Sequence, residues 1–205
     1  VSRLVIITVG KTHSGKTTFA RALEQELHPS LVIDQDNQAA FINTYYRNLL
    51  PKHGPNHIKF AVTQTIVDYA VEQTDYHLIL CNSNRSYKSR LDMLSRFHKG
   101  GFISVIVHLD PPDHVLEERV ARSQRDTAII RSASSFKEVL HRQQAETGNT
   151  DVVLPSEGEA NYLFHVTHPD EIHKTIHGII DLANLNLSSL MDKAAGKLQE
   201  HDAEA

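Results

Sequence analysis

The run Gly10-Lys11-Thr12-His13-Ser14-Gly15-Lys16-Thr17 constrains this chain more than any other stretch, because it satisfies the pattern G-x-x-x-x-G-K-[ST] at every fixed position. Gly10 and Gly15 permit backbone turns that aim successive N–H groups inward, forming a nest for anions. Lys16 supplies a point charge for the β- and γ-phosphates of a nucleotide, and the Thr17 hydroxyl is suited to ligate Mg²⁺. The pattern carries meaning only between a strand and a helix, and both are present. Leu4 to Val9 is nearly all apolar and β-branched, which predicts a strand buried on both faces. Thr17 to Leu27 reads as a helix with Ala20, Leu23 and Leu27 on one face, stopped by His28-Pro29. Such a helix turns its positive dipole end toward the same loop. Residues 10–18, His13 and Thr18 included, are therefore expected to hold nucleotide phosphates.

The rest of the chain repeats this alternation of short apolar runs and longer amphipathic ones. Strands are expected at Leu31 to Ile33, His77 to Cys81, Phe102 to Leu109 and Tyr162 to Val166. Helices are expected over 37–50, over 57–73 with Val62, Ile66 and Tyr69 as the buried stripe, and from Ser86 to Lys99. Others should start at Pro111-Pro112, run from Phe136 to Glu146, and follow Ile172, Ile176, Ile179 and Ile180. This succession predicts an α/β fold of three layers: a five-stranded parallel sheet with right-handed crossovers, flanked by helices and carrying a helical lid. One domain over 1–183 is expected, with the lid near 119–136 and a C-terminal helix or disordered tail over 184–205.

Composition removes several function classes. No apolar run approaches the ~18 residues a bilayer span needs. The N-terminal apolar run is too short for a secretory signal, and a single cysteine, Cys81, suits the cytoplasm. Lys and Arg total 21 against 25 Asp and Glu, a net charge of −4 that argues against a strongly basic nucleic-acid module while leaving a local basic groove open. A GTPase would add N/T-K-x-D and D-x-x-G, and neither occurs. A motor ATPase would end a strand in an acidic pair, whereas the third strand ends in Cys81-Asn82. A small phosphotransferase fits best.

Strand two ends in Asp34-Gln35-Asp36, at the sheet edge where α/β folds bind ligands. A carboxylate there can take the proton of an attacking hydroxyl. Asp36 is the first choice as base, with Asp34 orienting substrate or metal-bound water; the alternative is that Asp36 caps the following helix. Arg85, Lys88 and Arg90 follow strand three and either bind an anionic acceptor or keep the surface soluble. Arg119, Arg122 and Arg125 recur every third residue, which on a helix fans them over one side as transition-state cations or as a solvated face.

In these landmarks the sequence resembles the small P-loop kinases, AAA-type phosphotransferases that include polynucleotide 5′-kinase-like and gluconate-kinase-like enzymes. The resemblance rests on Gly10 to Thr18, on Asp36 after strand two, and on Glu118 to Arg125 followed by Ser134 and the helix from Phe136. It threads through about residues 2–182. It implies ATP and Mg²⁺ as cofactors, Asp36 as the acceptor-activating group, and Arg122 and Arg125 as lid arginines over ATP. The acceptor would be a hydroxyl on a small molecule, a nucleotide or a nucleic-acid end. One position departs from the family: Cys81 stands where relatives carry an acid that helps hold Mg²⁺. Either Asp34 takes over that role or the chain is a nucleotide-binding regulatory protein with weak chemistry. Tyr45 and Tyr46 are expected to pack or line the acceptor pocket. His173 and His177 lack the glutamate between them that a zinc-hydrolase pair requires, so no metal is assigned there.

Overall fold

The computed structural model describes residues 3–131, 133–146 and 150–185. Five strands, β1 (Leu4–Val9), β2 (Ser30–Asp34), β3 (His77–Cys81), β4 (Ile103–Leu109) and β5 (Tyr162–Val166), form one sheet in the order β2-β3-β1-β4-β5. Every pairing is parallel, from Ser30 opposite His77 at one edge to Leu109 opposite Val166 at the other. The helices are α1 (Lys16–Glu26), α2 (Gln35–Tyr45), α3 (His57–Gln73), α4 (Tyr87–Lys99), α5 (Asp113–Ala121), α6 (Phe136–Ala145) and α7 (171–185). Among the described residues no helix is long and apolar enough to cross a membrane.

Strand alternation decides which layer each residue feeds. On β1, Leu4 and Ile6 pack with Phe19 and Leu23 of α1, with Leu27 at its C-terminal cap, and with Ile176 and Ile179 of α7. Val5, Ile7 and Val9 turn to the other face and meet Val67 and Ala70 of α3 and Leu94 and Phe97 of α4. All six β1 residues are buried, as a central parallel strand requires. The buried stripe of α3 is Thr63, Val67 and Ala70, one residue along from the expected one, and Tyr69 is 66% exposed. Helix α2 ends at Tyr45 and gives way to a 3₁₀ turn over Arg47–Leu49, shorter than the predicted 37–50.

The lid region is helical only at its ends, where α5 stops at Ala121 and α6 starts at Phe136; among the described residues between them the regular element is a 3₁₀ turn, Thr127–Ile129. The C-terminal tail falls outside the described residues beyond position 185. Arg90, expected to bind an anionic acceptor or to keep the surface soluble, is instead fully buried. Its guanidinium pairs with Glu159 at 2.5 Å and donates to the carbonyls of Asn84, Arg85 and Val153. It therefore holds the β3–α4 connection against the 150–161 loop. Removing one partner leaves the other charge buried and unpaired, so Arg90→Ala should cost about 3–5 kcal/mol of stability, read by urea unfolding.

Candidate functional site

The carboxyl ends of β1, β2 and β3 open into a cleft of about 1470 Å³. The chain leaves β1 toward α1 on one side and returns through β4 on the other, so the cleft lies where the strand order reverses. The loop after β1 adopts the conformations its glycines allow, with Gly10 at φ +156° and Gly15 at φ +101°. A Cβ on Gly10 would sit 2.4 Å from the Leu109 carbonyl, so no side chain fits there. His13 also takes a left-handed φ of +59°, a conformation histidine tolerates better than branched residues do. Gly15 caps α1, whose first-turn N–H groups have no carbonyl within the helix to bond.

The side chains of the loop are committed in an ordered way. Lys16 Nζ donates to the Lys11 carbonyl at 2.5 Å and to Ser14 Oγ at 3.2 Å. Desolvation pushes its pKa down to about 8, although Asp36 and Asp34 pull the other way. Lys11 points away from the cleft and pairs with Asp113 at 2.7 Å. The Thr12 amide donates to Gln143 Oε1 of α6 at 2.7 Å. The His13 ring lies 2.8 Å from Ser123 and edge-on to Phe136; burial, with Arg125 and Lys16 nearby, lowers its pKa to about 4 and keeps the ring neutral.

The acidic side of the cleft begins where β2 passes directly into α2. Asp34, not Asp36, is the N-cap: its Oδ1 accepts from the Asp36 amide at 2.9 Å. Its Oδ2 accepts from the Thr17 hydroxyl at 3.1 Å. Asp34 is 4% exposed, and its two oxygens tie the end of β2 to the starts of α2 and α1. A hydroxyl and a carboxylate this close form a hard-oxygen donor pair, the chemistry that suits Mg²⁺. Beside them the Cys81 thiol lies 3.6 Å from Thr17 Oγ1, and burial together with Asp34 raises its pKa to about 11. It stays protonated at neutral pH, a donor where an acid would accept.

Asp36 is freed from capping and faces the cleft. Its Oδ2 accepts from Arg125 at 2.7 Å, and the Arg125 guanidinium stacks 4.9 Å from the centre of Phe136. Arg122 is placed elsewhere: its side chain is 83% exposed, 3.9 Å from Glu118, and does not line the cleft. The reason is that α5 ends at Ala121, so a spacing of three no longer marks one face. Arg119 reaches the loop instead and donates to the His13 carbonyl at 3.1 Å. Arg85 lines the cleft but is held by Glu146 at 3.0 Å and by the Gln143 carbonyl. Tyr45 and Tyr46 form an exposed cluster with Phe41 outside the cleft. Sequence reasoning missed Gln143, which carries no motif, and Lys59 of α3, which lies in a segment with no phosphate-binding signature; Ser123 fell within the lid landmark but was given no role. Among the described residues no group of three or more His, Cys, Asp or Glu gathers to hold a metal by itself.

The lowered Lys16 pKa has a measurable sign. An anion bound at the loop favours the ammonium, so at pH 9 nucleotide binding should take up close to one proton, and at pH 6.5 almost none. Calorimetry in buffers of different ionisation enthalpy reads this directly. Between about 8 and the ordinary lysine value the unfolded chain binds more protons than the empty folded one. This residue therefore makes the unliganded protein more stable as pH rises through that window.

Residues 5–147 match the family described as an AAA domain. No curated protein matches the sequence. Among solved structures, a Chloroflexus aurantiacus protein provisionally named a kinase superposes with a TM-score of 0.60 at 14% identity, over 87% of this chain and 97% of that one. The Mycobacterium tuberculosis APS kinase CysC, in complex with AMPPNP and APS, gives 0.56 at 16% identity over 89% and 98%. Shikimate kinase from Bacteroides thetaiotaomicron gives 0.53 at 14% identity over 88% and 98%. At such identities the likeness is one of fold: these chains share the kinase-like P-loop architecture.

Proposed function

The chain belongs to the AAA-domain family, and from that premise we propose that it is a kinase moving the γ-phosphoryl group of ATP to an acceptor hydroxyl. Lys16, the loop amides and the positive end of α1 hold the triphosphate. Thr17 and Asp34 would hold Mg²⁺, which would supply positive charge to offset that of the phosphates. Asp36 takes the proton of the acceptor hydroxyl. Arg125, now paired with Asp36, neutralises charge on the transferring oxygens, and Arg119 fixes the loop carbonyl behind them. Arg122 has no role in this scheme. A chain with one buried thiol suits the reducing cytoplasm.

The observation that carries this reading is the Asp36–Arg125 pair at the mouth of the phosphate loop. It sets a candidate base and a candidate charge-neutralising group side by side, where a γ-phosphate and a hydroxyl would meet. The test is ADP release from ATP and Mg²⁺, with and without a pool of small hydroxyl compounds. Stimulation by acceptors is the expected outcome. Tight nucleotide binding with no turnover across the pool would favour the second reading, a nucleotide-binding regulatory protein. That reading is favoured by Cys81, whose protonated thiol leaves Asp34 as the carboxylate nearest Thr17.

A further inference from the structure

From the charge distribution in the cleft we infer that the acceptor is itself an anion: a small hydroxyl compound bearing a phosphate, sulfate or carboxylate that Lys59 and Arg131 receive. The inference rests on the kinase reading and narrows its substrate class. The whole chain has a net charge of −4, yet the residues lining the cleft include eight lysines and arginines against three aspartates, Asp34, Asp36 and Asp126. Glu146, behind the wall, engages Arg85 at 3.0 Å and Arg142 at 3.6 Å and so offsets one more of these cations. A magnesium-bound triphosphate brings about two net negative charges, roughly half of the surplus that remains. The other half is left for a second anion.

Its place follows from which cations make no contact with the phosphate loop among the described residues. Lys16, Arg119 and Arg125 surround the phosphate loop. Lys59 stands on the first turn of α3, across the cleft, half-buried, with its ammonium 5.1 Å from the Phe60 ring and no ion pair among the described residues. Arg131 donates to the Pro51 carbonyl, which joins the lid segment to the connection that leads into α3. The two cations therefore belong to one wall. That wall is acid-free over an unusual length: no Asp or Glu occurs from Asn37 to Val67 in a chain that has 25 of them in 205 residues. An ammonium with no carboxylate partner is a ready charge-assisted hydrogen-bond donor for a bound anion. Asn56, Ser86 and Ser89 line the same region and offer neutral hydrogen-bonding partners for the rest of the molecule.

The experiment uses the full chain saturated with Mg²⁺ and AMPPNP, so that the phosphate loop is filled, and titrates inorganic phosphate by calorimetry at constant ionic strength. One phosphate should bind with a millimolar Kd, weakened at least fivefold by Lys59→Gln and by Arg131→Gln. AMPPNP affinity, measured on the same variants, reports that they are folded. A loaded parent protein that takes no phosphate overturns the anionic acceptor while leaving the kinase reading in place. Binding that neither variant changes overturns it as well. A parent protein that takes no AMPPNP overturns the kinase reading and this inference together.

Discussion

Lys16→Ala will remove both nucleotide affinity and phosphoryl transfer. The ammonium sits inside the loop, within 2.5 Å of the Lys11 carbonyl and 3.2 Å of Ser14 Oγ, in the space a phosphate oxygen would share. Charge-assisted hydrogen bonds in such a desolvated setting are worth roughly 1.5–3 kcal/mol each. Loss of two of them predicts a drop of about 10²-fold or more in ATP affinity, and a further loss in transfer because the same charge acts on the leaving β-phosphate. Equilibrium binding and single-turnover transfer measure the two effects separately. Because desolvation disfavours the ammonium in the empty loop, the alanine variant should fold at least as stably as the parent at neutral pH. Reduced binding accompanied by a large fall in melting temperature would point to a collapsed loop instead.

Asp36→Asn should behave differently: ATP affinity near that of the parent, with transfer reduced by about 10²–10⁴-fold. The amide keeps the shape and still accepts a hydrogen bond from Arg125, but it cannot take up the proton of an acceptor hydroxyl. Loss of the ion pair costs little stability, since both side chains are more than 40% exposed and such pairs contribute roughly 0–1 kcal/mol. Parent-like transfer by this variant would remove Asp36 as the base. Asp34→Asn is the informative control, because Asp34 bonds the Thr17 hydroxyl and the Asp36 amide. Its loss should weaken Mg²⁺-dependent binding rather than the proton step alone.

The two carboxylates also show where sequence reasoning reached and where it stopped. The strand, loop and helix around residues 4–27 were legible because paired glycines at that spacing, between an uninterrupted apolar run and an amphipathic one, suit few folded arrangements besides a phosphate loop. The five-stranded parallel sheet follows from the same alternation, but its order, β2-β3-β1-β4-β5, does not. The exchange of capping from Asp36 to Asp34 was not legible, because it depends on β2 running without a break into α2. Arg122 and Arg119 changed places because the end of α5, which no strong stop signal marks, sets which arginine faces the loop. Arg90 reads as a surface cation until its partner is known, and Glu159 lies 69 residues away in sequence. Long-range pairs of this kind leave no local pattern.

The phosphate cradle grows from β1, a strand sandwiched on both sides and flanked by two neighbours, the stiffest position the architecture offers. The wall opposite is assembled from peripheral parts, the α2–α3 connection and the loop after α5, which are fastened mainly by surface bonds such as Asn43 to the Ala128 carbonyl. Under the kinase reading, substitutions in that outer wall would alter which acceptor is admitted while leaving the central phosphate cradle unstrained.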